Sequence, residues 1–463
     1  MANKNLLTYA AKVSSVELVT YTPIATIPGI TGLPVLSATT YCYIAKVDPW
    51  ANEQDPPMPT QDQKSIKNVF KNIFAVKLIT AGDISPVVQR VNWTSGVIYD
   101  YYQDNVDMFE KDNNGSNVYN FYVKNRYDQV FKCLWNANGA ASTYEPFFEP
   151  GSYSTNNIYY GADGYKWKYI YTIDIGTKVK FMDETWMPVP VGYLTPNPLD
   201  INPTTGFNYG SGSVDVINVT NPGQNYDPAN SIITVTVTGD GANVSANAIV
   251  SGGQITDIIV TNPGSNYNYA NVTITSANGF GAIAIAPTSP IGGHGFDPVS
   301  ELGCNHVMFS AEFNGSENGY IPTDIDYHQV GLLINPTTKS LSPAPASAPI
   351  YKTTYEFVLA PGFGVYQNDE KIYQGTNLEN SSFFGTVLSF DAATNVVKIL
   401  NTTGTPITNA PLFGNTSKTT RTLLSYSEPD FVILSGYLSY IENRTGIQRS
   451  PDGIEQFKLV LGY

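Results

Sequence analysis

Charge is what this 463-residue chain lacks most. Asp, Glu, Lys and Arg together make up 14% of it, against about 25% in an average soluble protein. Basic residues are the scarcer kind: 25 Lys and Arg stand against 39 Asp and Glu, a net charge of −14. That balance argues against a nucleic-acid binder, which needs a basic stripe to neutralise phosphates. Cysteine is scarce too. Cys42, Cys133 and Cys304 are odd in number, widely spaced and without a Cys-x-x-Cys pair. This excludes a disulfide framework and a zinc ribbon, and the expectation is three separate buried thiols in a reducing compartment. No apolar run reaches the roughly 18 residues that a membrane-spanning helix needs. Two long stretches lack charge, between Glu17 and Lys46 and between Asp257 and Asp297. Prolines interrupt both, at 23, 28 and 34 and at 263, 287 and 290, so they read as strands and loops. The opening Met-Ala-Asn-Lys-Asn lacks the apolar core of a signal peptide.

What is present is aromatic and β-forming. The chain is 42% apolar and 13% aromatic, with 32 Tyr. That fills a core and argues against disorder. Short alternating or β-branched runs are separated by Gly, Pro, Asn and Asp, which predicts a mainly β protein. Ile233–Thr238 alternates strictly, with one Thr face and one apolar face. Phe431–Leu434 and Phe457–Leu461 read as buried strands. One stretch reads as a helix, Gln61–Phe74. There Ile66, Val69, Phe70, Ile73 and Phe74 share one face, Lys64, Lys67 and Lys71 lie on the other, and Thr60 is placed as N-cap. Residues 85–200 are the most aromatic region, with strands expected around Tyr99–Tyr102, Tyr119–Tyr122 and Trp167–Tyr171.

An internal repeat lies in 214–287. Val219-Thr-Asn-Pro-Gly-Gln-Asn-Tyr226 recurs as Val260-Thr-Asn-Pro-Gly-Ser-Asn-Tyr267, and Gly239-Asp-Gly-Ala242 is matched to Gly279-Phe-Gly-Ala282, with one residue lost between the copies. Each unit reads as a strand, an Asn-Pro-Gly type II turn, a Tyr anchor and two more strands. Two copies fall short of a solenoid and predict a small two-lobed β module. A Pro/Ala/Ser linker follows at 337–348. A further β unit occupies 350–425, with strands expected at Phe363–Gln367, Phe384–Leu388 and Val396–Leu400 and a turn at Asn401–Gly404.

Chemistry is hard to find. His294, His306 and His328 form no His-x-x-x-His pair, and only His328, two residues after Asp326, has a carboxylate close by on the same strand face. Each reads as a structural or surface histidine. No nucleophile elbow, phosphate-binding loop or dinucleotide fingerprint occurs. Glu145 and Glu149, with Asp163, are the best candidates for a glycosidase carboxylate pair. Such a pair must stand about 5–9.5 Å apart, and acids beside Pro and aromatics more often form turns or buried hydrogen bonds. Arg444 and Arg449, near Glu442 and Glu455, read as structural ion pairs or interface contacts.

At four places the residues resemble one family, the baseplate wedge protein known as gene product eight of T-even-type contractile-tailed phages. The first is Val47-Asp-Pro-Trp50 with Pro56, Pro57 and Pro59. The second is Val91-Asn-Trp93 with Tyr127, Phe131-Lys-Cys-Leu134 and Asn136. The third is Glu149-Pro150 with Asp163–Tyr171. The last is Tyr327–Pro336 with Ser435–Arg444, Ile454, Glu455 and an apolar strand. The blocks keep the family's order over roughly 40–200, 295–336 and 430–463, and leave out 214–287 and 350–425. His328 stands where the family often has Arg.

The resemblance implies a multi-domain β-sandwich protein with one domain inserted into a loop of another. The expected organisation is a main sandwich from 1–88, 296–349 and 426–463, an inserted aromatic-rich domain from 89–212 with 288–295, the repeat module 213–287 and a small insertion 350–425. It also implies a non-enzymatic virion component of the tail baseplate, assembled in the host cytoplasm. It would be a homodimer in contact with gene products six, seven and ten, with no catalytic, cofactor or metal residues and no nucleic-acid or membrane partner. A permanent assembly interface is depleted in charge and rich in Tyr, Trp and Arg, which this composition suits. The Pro-rich Asp55–Thr60 would serve as a blunt sheet edge or an extended arm. The rival reading is a polysaccharide-binding or depolymerising tail protein, and a third is a head or neck decoration protein.

Overall fold

The computed structural model describes residues 16, 39–112, 117–149, 157–191, 212–290, 292–339 and 346–463. The chain is mainly β, a multi-domain protein of several antiparallel sheets. Strand β1 (Thr40–Ala45), helix α1 (Gln63–Asn72), β2 (Ile73–Ile79) and β3 (Ile84–Gln89) come first. The aromatic-rich region gives β4 (Tyr122–Lys124), β5 (Gln129–Asn136), β6 (Ile158–Tyr160), β7 (Tyr165–Thr172), α2 (Ile175–Phe181) and β8 (Trp186–Pro188). The repeat gives β9 (Asn218–Gln224), β10 (Thr234–Gly239), β11 (Ala242–Ser251), β12 (Gln254–Ser265), β13 (Ala270–Thr275) and β14 (Phe280–Ile285). After it come α3 (Pro298–Glu301), β15 (His306–Asn314) and β16 (Asp326–Ile334). Then follow β17 (Tyr355–Leu359), β18 (Lys371–Gly375), β19 (Ser381–Asp391), β20 (Val396–Gly404), β21 (Pro411–Gly414), β22 (Thr420–Ser427), β23 (Tyr437–Gln448) and β24 (Ile454–Gly462).

Two compact units result. One holds the described residues of Met1–Thr20, Ser85–Met308 and Val460–Tyr463, the other those of Tyr21–Ile84 and Phe309–Leu459. The second unit contains a four-stranded sheet in the order β2-β1-β16-β23. Helix α1 covers it, because Val69 and Phe70 project into the same core as Tyr41, Tyr43, Val76 and Leu333. The helix is shorter than its periodicity predicts. Asp62, not Thr60, is the N-cap: its carboxylate accepts from the N–H groups of Lys64 and Ser65 at 3.0 Å each, while the Thr60 hydroxyl donates to Asp62 at 2.8 Å. At the other end Ile73 turns extended, and the run Ile-Phe-Ala-Val-Lys-Leu-Ile continues as β2, so Ile73 and Phe74 are buried from a strand. β-branched and aromatic residues prefer that pleated setting.

The same unit holds a closed six-stranded barrel in the order β17-β20-β19-β18-β21-β22, filled by Phe357, Leu359, Tyr366, Ile372, Phe383 and their neighbours. Closure leaves no free edge. Two expectations fail here. Phe363–Gln367 is a loop between β17 and β18, and Asn401–Gly404 continues β20 rather than turning. Phe431–Leu434 fails as well. Only Phe431 is buried, in an isolated bridge to Thr338, while Leu434 sits at φ +72° and is 46% exposed. Phe457–Leu461 does lie within β24. Residues 340–345, half of the predicted linker, lie outside the described residues, as do 18–38 of the first charge-free stretch.

The first unit contains the sheet β4-β5-β7-β6, whose faces differ. One packs Val123, Phe131, Cys133, Tyr165 and Trp167 with Tyr99. Trp167–Tyr171 is indeed strand, but Tyr99–Tyr102 and all of Tyr119–Tyr122 except Tyr122 are loop. Their rings reach the core from outside the ladder. β3 pairs with β8 through Val87↔Pro188, Val88↔Met187 and Gln89↔Trp186, over a small core of Val87, Phe181 and Met308.

The repeat copies exchange strands. β9 of the first copy pairs with β14 of the second, β12 of the second with β11 of the first, and β10 with β13. Their inner faces share one core with Tyr226 and Tyr267. The Asn-Pro-Gly segments do not separate strands. They lie inside β9 and β12 at register shifts, where Asn221 and Asn262 accept from the N–H of Gly223 and Gly264 at 3.0 Å each. This is an Asx turn built into a bulge. The ladder also corrects the alignment. Pro263 faces Val244 and Pro222 faces Ala282, so Ala282 corresponds to Val244 and Gly279 to Gly241 rather than to Gly239. The copies thus differ by three residues at this point, not one.

Candidate functional site

The densest group of charged side chains lies on the second face of β4-β5-β7-β6. Lys132 on β5 stands opposite Lys168 on β7, and Lys166 precedes Lys168 by two, so all three project from one side. Apolar residues surround each in sequence, Phe131-Lys-Cys-Leu134 and Tyr165-Lys-Trp-Lys-Tyr-Ile-Tyr171, which is why the strands carry them inward. The segment leading into β9, together with β12 and α3, supplies matching acids.

Lys132 Nζ lies 3.0 Å from Glu301 Oε1 and 3.8 Å from the centroid of the Tyr102 ring, with both charged side chains almost fully buried. His294 Nδ1 is 2.9 Å from the same Glu301 oxygen and 3.2 Å from Lys132 Nζ, and the Gly295 N–H donates to Oε2. Lys168 Nζ is 3.6 Å from Asp215 Oδ2, and Lys166 Nζ reaches Asp257 Oδ1 at 2.8 Å and the carbonyl of Ile217 at 2.9 Å. Asn218 donates to the Leu134 carbonyl at 2.9 Å and Asn138 to that of Val219 at 3.2 Å. These bonds fasten the repeat module to the aromatic sheet.

The electrostatics are those of a buried ion-pair network. Burial alone would raise the Glu301 carboxyl, but Lys132, His294 and the Gly295 N–H outweigh it and hold it at about 2. Burial would likewise raise Asp215, and Lys168, His294 and the Ser213 hydroxyl pull it below its ordinary range. Burial, aided by Lys132, lowers His294, which keeps it neutral near pH 7. Burial also lowers Lys132 against the opposing pull of Glu301. Every group has a partner within the cluster or on the backbone beside it. It positions elements against each other. The sequence reading did not single out these lysines. The signal was available, since a Lys inside an otherwise apolar strand needs a buried partner or a way out to solvent.

The carboxylates weighed for glycoside hydrolysis have other employment. Asp163 Oδ2 accepts from the N–H groups of Thr143 (2.7 Å) and Tyr144 (3.0 Å) and from the Ser142 hydroxyl (3.2 Å). Its Oδ1 accepts from Tyr165 N–H at 3.2 Å. Glu145 takes the guanidinium of Arg126 and, at 2.8 Å, its N–H. Glu149 is exposed at the margin of the described residues.

The three histidines lie apart in distinct settings. His328 Nε2 is 3.2 Å from Glu53 Oε1 and its Nδ1 is 4.0 Å from Asp326 Oδ2, with Trp50 edge-on at 6.2 Å. Glu53 also accepts from Gly446 N–H at 2.8 Å, Trp50 Nε1 donates to Arg444 O at 2.7 Å, and Asn443 donates to Pro57 O at 2.7 Å. The segment 50–57 thereby covers β23, the outer strand of its sheet, as a blunted edge requires. His306 packs against Trp186, ring centroids 4.4 Å apart, in a half-open cleft of about 320 Å³. All three thiols are buried and free, and burial pushes Cys42 up to about 12. Among the described residues no group of three or more His, Cys, Asp and Glu is placed to hold a metal ion, and no helix is long and apolar enough to cross a membrane. The chain matches no model of a known protein family, and no curated protein matches it in sequence.

Proposed function

We propose that this chain is a structural subunit of the baseplate wedge of a contractile phage tail and acts by protein–protein packing in assembly and contraction. The observation that carries the reading is the set of four sequence blocks, in order and at both ends of the chain, that resemble gene product eight. The fate of the chemistry-bearing side chains supports it. Asp163, Glu145, Glu301, Asp215 and Arg449 are engaged in bonds that hold loops and sheets together. On this reading the chain is a homodimer in the virion, facing counterparts of gene products six, seven and ten. With a net charge of −14, at least one partner presents a basic face, and salt weakens that contact.

A cryo-EM map of the tail tip of particles that carry the protein tests the reading. Density for two copies in each wedge is expected. Density on the head or neck, or antibody label there, contradicts it. Release of reducing ends from host surface polysaccharide by the purified chain would replace it with the depolymerase reading.

A further inference from the structure

One buried ring nitrogen in the second unit lacks a bond that its surroundings are built to give. His328, on β16, is buried, and its Nε2 lies 3.2 Å from Glu53 Oε1. A carboxylate only accepts, so in the neutral ring the hydrogen sits on Nε2. Nδ1 is then a bare lone pair, buried and without a hydrogen-bond partner among the described residues. Opposite it stands another acceptor, Asp326 Oδ2 at 4.0 Å. Buried polar atoms are nearly always bonded, and two acceptors that face each other repel. A second proton on the ring removes both faults, because Nδ1 then donates towards Asp326 while Nε2 keeps Glu53. A buried cation is tolerated when it is paired, and both nitrogens of this one would be.

The neighbouring charges suit that cation. Asp326 divides its oxygens: Oδ1 takes Lys46, and Oδ2 is left for His328. Lys46 in turn lies 3.2 Å from Asp369, just ahead of β18. With His328 protonated, Glu53, His328, Asp326, Lys46 and Asp369 alternate in sign from the segment 50–57 to the barrel. With it neutral, the three acids of this row share one lysine. Glu53 from the segment and Asp326 from β16 are the charged groups that face the ring, with Lys46 of the β1 end behind Asp326. β23 meets the ring with its backbone at Gly446, where a Cβ would lie 2.8 Å from Nε2, and its Arg444 guanidinium pairs with Glu442 at 2.8 Å.

The row ends on a point where the sheet is open. His328 lies at a register shift, between the pairs Tyr327↔Ile447 and Gln329↔Asn443, so three residues of β23, Arg444 to Gly446, bulge opposite one of β16. Their backbone groups turn to the segment 50–57. Glu53 Oε2 accepts from Gly446 N–H at 2.8 Å, its Oε1 accepts from Trp50 N–H at 2.6 Å, and Trp50 Nε1 donates to the Arg444 carbonyl at 2.7 Å. Glu53 thus belongs both to the charge row and to the cover of the bulge.

We propose that His328 is a proton-operated clasp: its doubly protonated ring bridges Glu53 and Asp326 and fastens the segment 50–57 over the β23 bulge, and loss of one proton loosens the segment. Imidazole changes charge between about pH 5 and 8. The closed segment offers the charged ring two carboxylates and the open one a single carboxylate, so closure strengthens as pH falls and weakens as pH rises. The clasp does not rest on the baseplate reading.

Hydrogen exchange of the full chain, read by mass spectrometry at about pH 5.5 and about pH 8 and corrected for the intrinsic rate at each pH, tests it. Peptides that cover 50–57 and 443–448 should lose protection by about fivefold or more at the higher pH, while a peptide from the barrel strand β19 keeps its protection. His328→Gln, which carries no charge at either pH, should abolish the difference. Glu53→Gln, on the half-buried segment, should abolish it too, and it carries the test alone if the far-UV circular dichroism of the His328 variant departs from the parent's. Equal protection of both peptides at the two pH values, a gain of protection as pH rises, or a difference that survives in Glu53→Gln overturns the proposal.

Discussion

Tyr226, in the first copy of the repeat, packs against Gly279 in the second: a Cβ at position 279 would lie 2.2 Å from the ring's Cδ1. The reciprocal contact joins Tyr267 to Gly241, where a Cβ would lie 2.3 Å from Cδ2. Each tyrosine therefore locks the other copy, which is the side-chain counterpart of the exchanged strands. Gly279→Ala should force the ring off its seat and destabilise the chain by about 1–3 kcal/mol, in the range of overpacked cores. Gly241→Ala should do the same. Gly82→Ala, whose Cβ meets nothing closer than 3.9 Å, serves as the control, with a change within about 0.5 kcal/mol. Urea unfolding of the three variants checks this, and equal midpoints would refute the swap as a source of stability.

Lys132 and Glu301 form the most deeply buried ion pair among the described residues. Removing one member leaves the other charged and dry, at a cost of about 3–5 kcal/mol, whereas replacing both with apolar groups of similar volume is often neutral. Lys132→Met and Glu301→Leu should each lower stability strongly, and the double variant should recover most of the loss. A double-mutant cycle measures the coupling. A double variant as unstable as the sum of the singles would show that the pair is not the unit.

The same cluster sets a direction for pH. Glu301 is held at about 2 against an ordinary 4.5, so the unfolded chain takes up its proton first as pH falls. Its contribution is complete above about pH 4.5 and disappears towards pH 2, about 3 kcal/mol in all. His294 is also lowered, from 6.5, so its contribution is present above about pH 6.5 and declines as pH falls below it. Thermal unfolding should therefore show a first loss of stability below pH 6.5 and a second below pH 4.5. His294→Gln should flatten the upper slope, and an unchanged slope in that variant would assign the loss elsewhere.

Some of this was legible in the chain and some was not, for identifiable reasons. The mainly β class, helix α1, the buried thiols and the repeated Asn-Pro-Gly words are local signals, and the structure carries them. The cap moved two residues because Asp62 Oδ1 accepts both N–H donors while its Oδ2 takes the hydroxyls of Thr60 and Ser65. Leu434 and Phe363 looked like strand residues by their neighbours, yet no partner strand lies beside them. Pairing is a tertiary fact. The lysine face stayed hidden because its acids, Asp215, Asp257 and Glu301, lie about 50–170 positions from their partners, a distance across which periodicity carries no information.

Arg449 shows what the sequence suggested and the packing made specific. Its proximity to Glu455 pointed to an ion pair, and its Nε does lie 2.7 Å from Glu455 Oε2. The guanidinium is fully buried, and its two remaining nitrogens donate to Pro322 O at 2.9 Å and Gly315 O at 2.8 Å. Three acceptors in three directions match a planar fork of donors, and an ammonium on a flexible stem reaches them poorly. Burial nonetheless pushes the Glu455 carboxyl up, so the pair leans on the geometry of the fork. Arg449→Lys keeps the charge and should still destabilise by about 2–4 kcal/mol, because buried acceptors are left unmatched. The loss should appear as a lower urea midpoint at constant slope, with faster amide exchange at Asp324, which donates to the Arg449 carbonyl at 3.1 Å. A lysine variant as stable as the parent would mean that charge alone, rather than the three-way fork, is what position 449 requires.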